Sequence, residues 1–122
     1  MKKDIETFED IKKLVDTFYA NARKDALIGP IFEKYLSGHW DEHLEKLYRF
    51  WQTIILREMA YYGKPIEVHF KMMLADNHFG NWMEIWNATV TSMYEGPLAE
   101  RAKLRGRTMS EAFLKKIKKS TA

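Results

Sequence analysis

The chain has 122 residues, 46% of them apolar, and a formal net charge of only +3 because acidic and basic side chains are interspersed. This length suits a single domain over residues 1–122. The chain has no cysteine, which excludes disulfides, thiolate metal ligands, cysteine nucleophiles and the C-x-x-C-H attachment of a covalent haem.

The sequence contains no recognisable signal peptide, membrane span or nucleic-acid-binding motif. No apolar run follows the first three residues, and no stretch approaches the roughly 18 apolar residues that a membrane span needs. The lysines of residues 115–119 suit the C-terminal end of a helix, and no nucleic-acid-binding signature is present. We therefore expect a soluble, cytoplasmic protein without membrane or nucleic-acid partners.

The first half of the chain predicts three helices. Thr7 can cap a helix over about residues 8–24, in which apolar residues recur at i, i+3, i+4 and i+7. Pro30 can start a short helix through Tyr35. After Gly38, a long helix is predicted from about Trp40 to Met59.

The second half predicts two more helices, separated by turn signals. Residues 61–65 stop the long helix, and residues 66–76 are too short and irregular for another long one. A helix follows over about residues 77–94, and the last runs over about residues 98–119. Its predicted buried residues are Leu98, Ala102, Met109, Ala112, Phe113 and Ile117. Short connections between helices predict one compact all-α domain.

Two of the four histidines lie in apolar surroundings. His39 belongs to a surface turn, and His78 near a helix start suits a capping or solvated role. His43 begins the apolar face of its helix, and His69 is flanked by apolar residues on both sides. A buried imidazole without a partner costs about 1–3 kcal/mol, and a metal ion would satisfy it. These two histidines suggest an apolar slot that holds something between two imidazoles.

Two alternative interpretations of these histidines and aromatic residues stay open. His39 and His43 lie one helical turn apart and could bind zinc, although Glu42 is misplaced for the general-base role of an H-E-x-x-H motif. Alternatively, the seventeen aromatic residues are simply the core of a helical interaction domain without a cofactor.

Three polar groups on predicted helical faces favour a ligand pocket. Tyr19, His43 and Trp86 lie on three different helices, and buried tyrosine and tryptophan need hydrogen-bond partners. Donors that converge on an apolar cavity are what an iron-bound dioxygen requires.

The order of these residues resembles the truncated haemoglobins of the third, or P, group, which have a two-over-two globin-like helical fold. The resemblance covers residues 8–117. It depends on Phe18-Tyr19, residues 25–32, residues 40–47, Phe50-Trp51, residues 62–65 with His69, and residues 78–82 with Trp86.

This resemblance implies a role for each matching residue. His69 would be the proximal ligand of haem iron, and Tyr19, His43 and Trp86 would contact the distal ligand. Lys46 would meet a haem propionate. The pocket lining implied is Phe32, Leu47, Phe50, Trp51, Ile54, Ile66, Phe70, Phe79, Trp82 and Met83.

The implied function is a non-covalent b-type haem protein that binds O2, NO, CO or cyanide at the open iron position. Three distal donors should slow O2 release, which argues against bulk oxygen transport. The alternative is a haem enzyme that detoxifies NO or peroxide. It would need an external reductase, because the chain has no flavin or nicotinamide fingerprint. His43 has two further possible roles: it could coordinate iron itself or swing outward as a gate.

Overall fold

The computed structural model describes residues 2–36, 38–58 and 76–121, without the side chains of residues 35, 36, 76–79, 113, 114 and 116–121. Within these ranges all regular structure is helical, which confirms the all-α prediction. The helices are α1 (Phe8–Lys24), α2 (Gly29–Leu36), α3 (Trp40–Leu56), α4 (Asp76–Met93) and α5 (Pro97–Thr121).

Helix α1 begins where its capping residue was predicted. The Thr7 hydroxyl accepts a hydrogen bond from the Asp10 N–H at 3.3 Å, and the Asp10 carboxylate accepts one from the Thr7 N–H at 3.1 Å. This reciprocal pair is a capping box. The predicted apolar face of α1 is buried, including Phe18 and Tyr19.

The turn between α1 and α2 is built on Asp25. Its carboxylate accepts hydrogen bonds from the N–H groups of Leu27 and Ile28, both at 2.9 Å, and from the Asn81 amide at 3.1 Å. The hydrogen bond from Ile28, supported by those from Asn81 and Leu27, lowers the pKa of Asp25 despite partial burial. Because Asn81 belongs to α4, Asp25 connects this turn to α4.

Helix α3 ends three residues earlier than the sequence predicts. Arg57 has a φ of 59°, in the left-handed region, so the helix stops at Leu56 rather than near Met59. The Arg101 guanidinium on α5 donates to the Ile55 carbonyl at 3.0 Å and so satisfies one of the carbonyls at the end of α3.

The four long helices form two pairs, α1 with α3 and α4 with α5, and the short helix α2 packs against α1. Helix α1 packs against α3 and α4, α4 packs along α5, and α3 also touches α5. The core lies between the pairs and is rich in aromatic side chains, with Phe18, Phe32 and Trp86 almost completely buried.

The buried face of α5 matches the predicted one in part. Ala102 is buried as expected, and Leu98 and Met109 are partly buried against the core, but Ala112 is exposed, and Phe113 and Ile117 lie outside the described side chains. Small residues that were not predicted, Ala99, Gly106 and Ser110, complete the buried face. At Gly106 the reason is steric, because the Trp86 indole of α4 leaves no room there for a β-carbon.

Candidate functional site

Tyr19 and His43 meet as a polar pair inside aromatic surroundings. The hydroxyl oxygen of Tyr19 lies 3.1 Å from Nε2 of His43, a hydrogen bond between α1 and α3. Tyr19 is only 4% exposed, and this burial raises the pKa of its hydroxyl above the ordinary range. Tyr19 therefore keeps its proton at neutral pH and can act as a hydrogen-bond donor.

Aromatic rings surround this pair edge-on. The Tyr19 ring centroid lies 5.3 Å from that of Phe32, 4.9 Å from that of Phe18 and 5.7 Å from that of Trp40. Such T-shaped contacts are favourable for aromatic quadrupoles. They give the pair an apolar wall that excludes water from the tyrosine hydroxyl.

Three tryptophans stack in the adjoining core. The Trp86 ring lies nearly parallel to that of Trp51, with centroids 4.3 Å apart, and to that of Trp82, with centroids 5.9 Å apart. Phe18 meets Trp82 and Trp86 edge-on. The stack connects α3 with α4, and Phe18 lies between it and the Tyr19 ring.

The side-chain hydrogen-bond donor of Trp86 is engaged within the protein. Its indole Nε1–H donates to the carbonyl of Ala102 on α5 at 2.9 Å, in a fully buried hydrogen bond. Of the three predicted distal donors, the structure brings Tyr19 and His43 together, while the N–H of Trp86 is donated to α5. The donation from Trp86 to a ligand stays a prediction.

The other predicted pocket residues fall into three groups. Phe32, Leu47, Phe50, Trp51 and Trp82 are buried, Ile54 and Met83 are partly buried against the same core, and Lys46 is exposed. The backbone of Phe79 lies in α4, but its side chain is not described. Ile66, His69 and Phe70 lie outside the described residues, so the structure describes one side of the predicted pocket.

The sequence interpretation missed two residues near the pair. Trp40 contacts both Tyr19 and His43, and the guanidinium carbon of Arg23 lies 4.4 Å from the centroid of the Trp40 ring. The spacing of Trp40 and His43, three residues apart in one helix, was the available signal. The packing of Arg23 on Trp40 joins two helices and has no sequence signature.

The zinc interpretation gains no third ligand. Among the residues that the structure describes, no group of three or more histidines, aspartates or glutamates is arranged to hold a metal ion. His39 is exposed, as predicted, while His43 is hydrogen-bonded to Tyr19.

None of the described helices is long and apolar enough to cross a membrane.

The helix pairs and the tyrosine–histidine pair together define a globin-like protein of the two-over-two helical class. The chain is 31% identical over 98 residues to the group 3 truncated hemoglobin ctb of Campylobacter jejuni, with 77% of each chain covered. No family model matches the chain. The crystal structure of the group III truncated hemoglobin from Campylobacter jejuni matches with a TM-score of 0.84 and 26% identity, covering 96% of this chain and 95% of that chain.

The chain therefore belongs to the group 3 truncated hemoglobins. Membership in this family implies a globin-type protein with a haem cofactor. The two matches confirm the family and the fold that the order of residues predicts.

Proposed function

We propose that this protein binds a non-covalent b-type haem through His69 and binds small diatomic ligands, O2, NO or CO, on the side of Tyr19 and His43. Bound haem would supply an iron with one coordination position open to such a ligand. The 3.1 Å contact between the Tyr19 hydroxyl and His43 Nε2 carries the proposal, because it places two protic groups together among aromatic rings.

The residues on this side of the pocket fit a haem. The group is a flat, mainly apolar ring, and the described wall consists of broad apolar side chains such as Phe32, Phe50 and Trp51. The absence of cysteine excludes thioether bonds to the haem and so supports non-covalent attachment. His69 and Lys46 are proposed to bind the iron and a propionate on the basis of the family resemblance alone.

The polar pair would stabilise a ligand that carries partial negative charge. Tyr19 keeps its proton because burial raises the pKa of its hydroxyl. Neutral His43 can either accept the Tyr19 hydrogen or donate its own Nε2 hydrogen to the Tyr19 oxygen. In the second arrangement, the Tyr19 O–H is free to turn toward the ligand. The aromatic wall around Tyr19 excludes the water that would compete for this hydrogen bond.

An absorbance scan of the purified protein tests the proposal. We expect a Soret band after addition of hemin, with distinct ferric, ferrous and CO-bound spectra. His69→Gly should lose haem or change its axial coordination, whereas His39→Gly, at an exposed histidine, should not. A protein that stays colourless after addition of hemin, or an unchanged spectrum in His69→Gly, would contradict the proposal.

Consumption of NO or peroxide is a second candidate. Two adjacent protic groups can also orient a bound oxygen species by hydrogen bonds from the Tyr19 side, which is useful for oxidative chemistry as well as for ligand binding. This activity needs an external reductase. NO consumption that depends on added reductant and falls in Tyr19→Phe would support the enzyme, and NO consumption at the rate of free hemin would exclude it.

A further inference from the structure

Trp40 lies between the tyrosine–histidine pair and the protein surface. Its ring centroid lies 5.7 Å from that of Tyr19 and 6.4 Å from that of His43, both edge-on. The same residue also lines a surface cleft of about 370 Å³, together with Gly38, His39, Asp41 and Glu42. Trp40 therefore touches the candidate ligand-binding pair and also borders the solvent.

A cation from another helix covers the Trp40 ring. The guanidinium carbon of Arg23, in the last turn of α1, lies 4.4 Å from the centroid of the ring. The Nε of Arg23 also donates to the Glu33 carboxylate of α2 at 2.7 Å. Because both side chains of this ion pair are about half exposed, the stacking of Arg23 on Trp40 contributes more to stability than the ion pair does. Three helices thus meet at one indole ring.

The first turn of α3 depends on this packing. Its N-cap residue, His39, makes no side-chain capping hydrogen bond, so the turn lacks the usual local stabilisation. The first backbone bond of the helix runs from the His43 N–H to the His39 carbonyl at 3.1 Å. The buried indole nitrogen of Trp40 has no hydrogen-bond partner in the described part of the chain, so ring packing holds Trp40 in place.

We propose that Trp40, held under Arg23, is a positioning residue that fixes His43 against Tyr19 by anchoring the uncapped first turn of α3. Trp40 and His43 lie three residues apart and so on the same face of the helix. Opening of this turn would carry His43 away from Tyr19 and open the pocket toward the cleft. This inference rests on the proposed function, since it concerns the residues that would contact the ligand.

The test compares two arginines in matched settings. Arg23→Ala removes the cation above Trp40. Arg49→Ala is the control, because the guanidinium carbon of Arg49 lies 4.2 Å from the centroid of the Phe8 ring and its Nε pairs with Glu45 at 3.3 Å, with similar exposure. In the CO-bound protein, we expect hydrogen exchange of the His43 amide and the Trp40 indole N–H to accelerate about two- to fivefold in Arg23→Ala only. The Trp40 indole signal is assigned with Trp40→Phe.

The second readout is the C–O stretching frequency of the CO-bound form, which reports the polar groups around the ligand. Arg23→Ala should broaden or split this band as His43 leaves Tyr19, and Arg23→Lys should restore part of the wild-type band. If either readout stays at its wild-type value in Arg23→Ala, or if Arg49→Ala changes both equally, the proposal is wrong. A wild-type protein that binds no haem would instead contradict the proposed function, and exchange of the His43 amide in the purified protein would still test the role of Trp40.

Discussion

Trp86 on α4 packs directly against the backbone of Gly106 on α5. A β-carbon added at Gly106 would lie 2.6 Å from Cδ1 and 2.8 Å from Nε1 of the indole. The indole cannot retreat easily, because it stacks on both Trp51 and Trp82. The close approach of α4 and α5 at this point therefore requires glycine.

Gly106→Ala should destabilise the protein. Overpacking a core costs about 1–3 kcal/mol, which outweighs the helix-propensity gain of up to about 1 kcal/mol from glycine to alanine. Urea unfolding measures the change. Gly80→Ala is the matched control, because none of the described residues lies within 4 Å of a β-carbon added there, and it should stabilise α4 slightly. Equal stabilisation by both substitutions would contradict the close contact.

Trp86→Phe should change O2 release less than Tyr19→Phe does. The indole N–H of Trp86 already donates to the Ala102 carbonyl at 2.9 Å, so donation to a ligand would first require breaking a buried hydrogen bond. Stopped-flow release of O2 from the ferrous protein measures both variants. An equal or larger acceleration in Trp86→Phe would mean that the indole turns toward the ligand when haem is bound.

Tyr19→Phe should accelerate O2 release by about tenfold, since the loss of a hydrogen bond of about 1.5 kcal/mol changes an equilibrium by that factor. Tyr48→Phe provides the control. The Tyr48 hydroxyl donates to Asp16, and its removal should leave the rate within about twofold of wild type. Fast release that is the same in wild type and Tyr19→Phe would contradict donation by this tyrosine.

Asp25 should make stability fall at acid pH. Hydrogen bonds from Ile28, Asn81 and Leu27 hold the pKa of Asp25 below its ordinary value of about 3.9. A lowered pKa in the folded state contributes stability that is complete above this value and is lost as pH falls through the folded pKa. Asp25→Asn should therefore be less stable than wild type at neutral pH, with a difference that shrinks below about pH 4.

Urea unfolding at several pH values measures this difference. At neutral pH, Asp25→Asn should lower the free energy of unfolding by an amount near the low end of about 1.5–3 kcal/mol, the range for hydrogen bonds to a charged group. Glu111→Gln, at an exposed position of α5, serves as the control. A difference between wild type and Asp25→Asn that stays constant from pH 7 to pH 2 would show that the charge of Asp25 contributes nothing.

Local sequence determined most of the helical framework. The i, i+3, i+4 spacing located α1 and its buried face, and Thr7 marked its start, because capping and amphipathic periodicity involve neighbours within a turn or two. The order of anchor residues also identified the family, which the relatives in Campylobacter jejuni confirm. His69, Ile66 and Phe70 stay predictions, because they lie outside the described residues.

Only the tertiary structure decided the contacts between distant residues. Asp4 accepts hydrogen bonds from the N–H groups of Leu98 at 3.0 Å and Ala99 at 2.8 Å, and thereby caps α5 from the far end of the chain. Two other contacts also join distant parts of the chain: the hydrogen bond from Trp86 to Ala102, and the packing of Arg23 on Trp40. Periodicity tells which side of a helix is buried. A hydrogen bond or ring contact between two helices depends on how the folded chain places them relative to each other, and the spacing of residues within one helix does not encode this placement.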